Sequence, residues 1–293
     1  MIDRLDSGFD TAPLGVFDSG LGGLTVVRAL RASLPTQSIV YLGDTARVPY
    51  GTRSAQTVIR YARGCARVLM ARQVKALVVA CNTVSAVALD MLRAELDLPV
   101  VGVIEPGARA AVRAAGLPRQ GAEVPSKVGV LGTAGTVASG AYPRAVAQLT
   151  TRLEVVTQAA PLLVPLVEEG WLEGDVPRLA VQRYVAPLIE AGATAILLGC
   201  THYPLLQSVV EQVAGELAGH PVPVVDSARA TAEVVAEWMA EGRMLGPNRH
   251  PGVGAGALQL LVSDLPGGFA RVAERFLGAA ALPEIEQVDI PVE

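Results

Sequence analysis

The chain has 293 residues, of which 51% are hydrophobic and 18% charged, with a formal net charge of −4 and three cysteines. Its length holds two domains of roughly 100–200 residues, and the acidic balance removes the electrostatic ground for a nucleic-acid partner. A mean hydropathy of +0.40 fits strands buried on both faces and leaves apolar surface for a second subunit, so a homodimer is expected.

From the start, Met1-Ile2-Asp3-Arg4-Leu5-Asp6 has neither the basic opening nor the apolar core of a signal peptide. No later run reaches the ~18 apolar residues of a membrane helix. Free thiols without a disulfide-framework spacing suit a reducing cytosol, so a cytoplasmic protein is expected. Residues 14–20 read as a buried strand running into the loop Asp18-Ser19-Gly20-Leu21-Gly22-Gly23, with a helix from near Leu24. Residues 39–44 read as a second strand. Arg53, Arg60, Arg63 and Arg67 then share one helical face, solvated in view of the net charge, while Cys65 falls at core spacing with Tyr61, Val68 and Leu69. The apolar run Ala76-Leu77-Val78-Val79 delivers Ala80-Cys81-Asn82-Thr83, and a strand at 99–102 closes the series.

The same plan returns at 128–135, 154–159, 195–198 and 223–226, the third run delivering Gly199-Cys200-Thr201-His202. Four elements in one order at slowly growing offsets mark a degenerate internal duplication. A Gly/Pro-rich stretch at 245–256 reads as a loop, followed by a strand at 258–262 and a helix near 267–277. This tail is placed back on the first half, because the second half already has its full series. The expected fold is therefore α/β, with two pseudo-symmetric parallel-sheet domains: residues 1–105 with 222–293, and residues 106–221. Ligands in open α/β sheets sit beyond the carboxyl ends of strands, which puts the active site in the cleft between the domains.

Cys81 and Cys200 occupy equivalent places in the two halves. A pair of thiols facing across a cleft can take a proton from one side of a carbon and return one to the other side. Either thiol alone equally fits an inert buried cysteine. The amides of the glycine loop that follows Asp18 and Ser19 favour an anion at a helix N-terminus, as does the matching loop of Thr133 and Thr136, or these four side chains simply cap the helices. His202 would share a face with Cys200 if the strand continued that far. Glu168 or Glu169, after Pro165-Leu166-Val167, fits an exposed helix residue as well as a functional carboxylate. His220 and His250 carry no pattern. Neither C-x-x-C nor H-x-x-x-H spacing offers a metal ligand set, and both the G-x-G-x-x-G and the G-x-x-x-x-G-K-[ST] fingerprints are missing from the sequence. A non-catalytic amino-acid-binding protein would not need paired thiols, and the cysteine spacing disfavours a thiol oxidoreductase or a zinc hydrolase.

Six strings together resemble the aspartate/glutamate racemase family. They are Val16-Phe17-Asp18-Ser19-Gly20-Leu21-Gly22-Gly23, Tyr41-Leu42-Gly43-Asp44-Thr45-Ala46, Val48-Pro49-Tyr50-Gly51, Ala80-Cys81-Asn82-Thr83, Pro165-Leu166-Val167-Glu168 and Leu198-Gly199-Cys200-Thr201-His202-Tyr203-Pro204-Leu205. The resemblance implies cofactor-free interconversion of L- and D-glutamate, supplying D-glutamate for peptidoglycan and so for the cell wall. It implies that Cys81 acts on the α-proton of D-glutamate with help from Asp18. Cys200 would act on that of L-glutamate with help from His202 and Glu168. Ser19, Tyr50, Gly51, Asn82, Thr83 and Thr201 would hold the substrate's carboxylates and amine, with Thr133 and Thr136 as further candidates. A relative acting on aspartate or a hydantoin is the nearest alternative; the His202 and Pro-Tyr-Gly strings favour glutamate.

Overall fold

The computed structural model describes residues 12–116, 126–244, 256–278 and 282–291. Met1-Ile2-Asp3-Arg4-Leu5-Asp6, His250 and residues 245–255 of the expected loop lie outside them. Ten strands are present among the described residues: β1 (Leu14–Asp18), β2 (Ile39–Gly43), β3 (Ala76–Val79), β4 (Val100–Gly102), β5 (Ser126–Gly132), β6 (Leu153–Ala159), β7 (Ala193–Gly199), β8 (Val224–Asp226), β9 (Leu258–Val262) and β10 (Ile285–Gln287). The helices are α1 (Leu24–Ser33), α2 (Ala55–Ala71), α3 (Asn82–Val87), α4 (Leu89–Glu95), α5 (Ile104–Ala115), α6 (Ala134–Ser139), α7 (Ala141–Leu149), α8 (Leu163–Glu169), α9 (Asp175–Glu190), α10 (Gln207–Ala218), α11 (Ser227–Ala240) and α12 (Phe269–Leu277).

The strands form two parallel sheets, ordered β10-β9-β2-β1-β3-β4 and β6-β5-β7-β8. Without β9 and β10, the first sheet has the order β2-β1-β3-β4. That is the permutation of the second sheet, so the duplication read from the sequence is a duplication of topology. In both sheets the first strand of the series sits between the second and third, pairing Leu14 with Ile39 and Ala76 in one, and Val128 with Val155 and Ala195 in the other. β1, β2 and β3 are buried at every residue, as parallel strands covered on both faces must be. α2 shows why such sequences pack. Val58, Ala62, Cys65, Ala66 and Leu69 fall on one stripe and are buried, whereas Arg60, Arg63 and Arg67 face water. Each fully buried Val or Leu contributes about 1.5–3 kcal/mol.

Two expectations need correcting. The boundary placed between residues 221 and 222 cuts one strand too early. β8 pairs with β7, Ile196 with Val224 and Leu198 with Asp226, and so belongs to the second sheet. The chain returns to the first sheet only through α11, which packs on α1, and then β9, which pairs with β2. The last strand, β10, was not anticipated. Its three residues pair with β9 and are too few to show the alternation or apolar run by which strands are read. One apolar core runs through both domains, joining Leu14 and Val26 to Ile196, Val181 and Phe276.

Candidate active site

β3 and β7, third in their series, end side by side at one cavity of about 170 Å³ between the domains. Both thiols line it. Cys81 is the residue before the first turn of α3, and Cys200 opens the turn after β7. Ser19, Tyr50, Gly51, Asn82, Thr83, Thr133, Glu168, Thr201 and His202 line the same cavity. Of the residues singled out in the sequence, Asp18 and Thr136 stand behind this wall. No Lys or Arg lines the cavity among the described residues, so an anion inside it meets hydroxyls, backbone amides and His202.

Asp18 is fully buried at the end of β1. Its Oδ2 accepts the Gly20 and Gly23 amides at 3.2 and 3.0 Å, which braces the glycine loop, while its Oδ1 has no hydrogen-bond partner. Burial pushes the carboxyl above its ordinary range, with His202 and the loop amides acting the other way. The helix-cap reading thus holds for Asp18 in altered form: it caps the loop that precedes α1. Cys81 Sγ donates to Ser19 Oγ at 3.5 Å. Burial first, and the Asp18 charge second, push the Cys81 thiol up to about 12.

Beside Cys200, His202 Nε2 meets Glu168 Oε1 at 2.9 Å and Nδ1 stands 3.4 Å from Thr201 Oγ1. Burial alone would lower the imidazole, but hydrogen bonds to Cys200 and Glu168 and their charges outweigh it and push His202 up to about 10. The two residues meet for a different reason from the one expected. β7 ends at Gly199, and Cys200-Thr201-His202 form a turn in which His202 is already helical. The choice between Glu168 and Glu169 is settled by the turn of α8 that points at His202: Glu168 is the partner. Thr25 Oγ1 reaches across from α1 to donate to the Thr201 carbonyl at 3.0 Å.

The hydroxyls divide by environment. Thr83, Thr133 and Thr136 form a triangle with Oγ1 separations of 3.0, 3.2 and 3.0 Å, and Thr133 also caps α6 by accepting the Thr136 amide. Tyr50 donates its hydroxyl proton to Asp44, which Ser263 and Arg47 also hold. It lines the cavity with its one hydroxyl proton committed to Asp44. Asn82 Nδ2 donates to Tyr142 at 2.8 Å, leaving a buried Oδ1 with no partner. Cys65 is fully buried on the inner face of α2, and Arg63 pairs with Glu95 at the surface. No group of three His, Cys, Asp or Glu side chains is arranged to hold a metal ion among the described residues. No described helix is long and apolar enough to cross a membrane.

A family model described as Asp/Glu/Hydantoin racemase matches residues 24–235. The chain belongs to this family. Within it, a glutamate racemase of Geobacter metallireducens is 49% identical over 280 residues, spanning 96% of this chain and 97% of the relative. The crystal structure of a glutamate racemase isoform from Bacillus anthracis superposes with a TM-score of 0.84 at 36% identity, covering 97% of this chain and 100% of that one. A Francisella tularensis glutamate racemase solved with D-glutamate gives 0.81 at 31% identity, covering 96% and 99%.

Sequence reading missed the apolar rim of the cavity, Pro161 and Val164 among it, and two residues of α12, Arg275 and Phe276, that reach the Glu168–His202 pair. The rim lies next to the Pro165-Leu166-Val167-Glu168 string and was within reach of that signal. The α12 residues lie far along the chain in an ordinary amphipathic helix, and nothing local marks them.

Proposed function

We propose that this protein interconverts L- and D-glutamate with two thiols and no cofactor, supplying D-glutamate for peptidoglycan synthesis in the cytoplasm. The observation that carries the reading is that Cys81 and Cys200 enter one cavity from equivalent strand ends, each with its own set of polar partners. In the L-to-D direction a Cys200 thiolate removes the α-proton from one face, and the Cys81 thiol delivers its proton to the opposite face of the same carbon. Cys81, pushed up to about 12, holds its proton at neutral pH and suits the donor's part. His202, pushed up to about 10, places a cation on the Cys200 flank. In the reverse direction the roles exchange. Asp18, with its unpartnered Oδ1, takes the proton that Cys81 gives up, and His202 with Glu168 returns one to Cys200.

The α-proton is a weak acid, so charge growing on the α-carboxylate has to be stabilised as it forms. Ser19, Thr83, Thr133, Thr201 and the amides of Gly51 and Asn82 are the donors assigned to the carboxylates and the amine. The apolar rim and a closed cleft exclude water and strengthen each of these interactions. Leu162 and Trp171, which flank α8, and Val176 and Leu179 of α9 are exposed, the first three lining one surface depression. We assign this apolar face to the second subunit of a homodimer, which a Trp171→Glu variant would convert to monomer in sedimentation.

The test is incubation of purified protein with L-glutamate in D₂O. D-glutamate carrying α-deuterium is expected, and Cys81→Ala and Cys200→Ala are each expected to abolish racemisation. Exchange with aspartate and none with glutamate would move the assignment to the aspartate branch of the family. Full racemisation by either single-cysteine variant would overturn the two-thiol scheme.

A further inference from the structure

α12 lies between β9 and β10 and packs on α1, so it belongs to the first domain. Its last turn nevertheless reaches α8 of the second. Arg275 Nη1 donates to the Val167 carbonyl at 3.0 Å and to the Glu168 carbonyl at 2.7 Å. These carbonyls belong to the last turn of α8, at the negative end of its dipole, where Val167 O also accepts the Gly170 amide at 3.0 Å. Gly170, at φ +81, follows directly. A Cβ there would stand 2.5 Å from Arg275 Nη2, so bare backbone at this position admits the guanidinium. The next residue, Phe276, is fully buried and sets its ring edge-on to His202, with centroids 4.9 Å apart and an interplanar angle of 76°.

Two consecutive residues thus fix the two ends of one hydrogen bond. Arg275 holds the backbone of Glu168, and Phe276 walls the ring of His202. The Glu168 side chain is 47% exposed. Without a fixed backbone beneath it, a carboxylate that open has rotamer freedom to gain by leaving the imidazole for water.

We infer that Arg275 and Phe276 are positioning residues for the Cys200 flank: the C-terminal helix of the first domain sets the Glu168–His202 distance in the second. The inference rests on the two-thiol reading above. Because the contact crosses the cleft, it also ties alignment of this flank to the closed arrangement of the domains.

The test uses Arg275→Ala, Arg275→Lys and Phe276→Leu in the full chain, with His202 titrated by imidazole NMR and racemisation assayed in both directions. His202 is faced by Glu168 from α8, by Cys200 and Thr201 from the turn after β7, and by Asp18 from the end of β1. Arg275 adds a cation behind α8. Removing that cation would by itself raise the His202 midpoint, whereas releasing Glu168 lowers it. Arg275→Ala is expected to lower the midpoint by about one pH unit. It should also reduce kcat/KM by about 10²-fold, through kcat more than KM. The loss must be equal in both directions, since the enantiomers are equally stable. Arg275→Lys keeps the charge and one donor and should restore most of the activity. Phe276→Leu keeps every charge and should lower kcat with KM little changed. A folded Arg275→Ala protein whose His202 midpoint is unchanged or raised overturns the inference. If that variant does not fold, wild-type kcat in Phe276→Leu does so. Failure of the wild-type protein to exchange the α-proton of glutamate would instead sink the racemase reading, and the NMR titration needs no turnover.

Discussion

Gly22, in the loop after β1, lies directly against His202 of the other domain. A Cβ on Gly22 would stand 2.5 Å from His202 Nδ1 and would overlap Thr201 Oγ1. The loop's lack of a side chain therefore lets the turn bearing Cys200 close onto the first domain. Gly22→Ala is expected to push the imidazole off Glu168 and lower kcat by about 10²-fold, with the fold retained. Steady-state kinetics beside circular dichroism checks this, and wild-type kcat would show that the contact relaxes freely.

Asp18→Asn keeps an oxygen for the Gly20 and Gly23 amides but removes a negative charge near Cys81. Burial still holds the thiol up, so its midpoint should fall only part of the way from about 12 towards its ordinary 9. Alkylation of Cys81 at about pH 9, followed by peptide mapping, should speed up by severalfold, since the thiolate fraction rises roughly tenfold when the midpoint drops by one on the pH scale. Cys65, on the buried face of α2, is the internal control and should not change.

His202 titrates near 10 in the folded protein against an ordinary value of 6.5. A group raised on folding stabilises the protein fully below its unfolded midpoint and loses that contribution as the pH climbs through the folded one. The pH-dependent part of the stability difference between wild type and His202→Gln should therefore be largest below about pH 6.5 and vanish above about pH 10. It should be of the order of a few kcal/mol. Urea denaturation across that range measures it. A difference that grows with pH would contradict the sign.

Tyr50 gives its hydroxyl proton to Asp44, and Asp44 is fully buried with Ser263 and Arg47 as its other partners. Tyr50→Phe should destabilise the protein by about 1–3 kcal/mol by leaving part of that carboxylate unsatisfied. The KM for glutamate should stay near wild type. A large rise in KM with unchanged stability would restore the substrate contact expected from the sequence.

Much of this molecule was legible in the chain. β1, β3, β5 and β7 announce themselves as apolar runs because parallel strands are covered on both faces, and each runs into the loop or turn that carries site residues. Cys81 and Cys200 were found as a pair because the duplication repeats them at equivalent strand ends. Asp18 was legible as a loop-bracing or functional carboxylate, but not as one buried behind the cavity wall. β8 was read as a strand and yet assigned to the wrong domain. Three residues state their periodicity but not their neighbour, and only the pairing with β7 decides it. The partners of Thr136 and Tyr50 were not legible for a related reason, since residue type marks a hydroxyl but not the acceptor that already holds it.

By itself the sequence determined the strands, their duplicated order and the chemical kinds of side chain delivered to the strand ends. Those follow from burial periodicity and local backbone preference, which act over a few residues. Only the tertiary structure decided that Gly22 must be bare and that Arg275 and Phe276 brace a helix of the other domain. Each of those contacts joins residues far apart along the chain, where no local preference acts and the choice is made by packing.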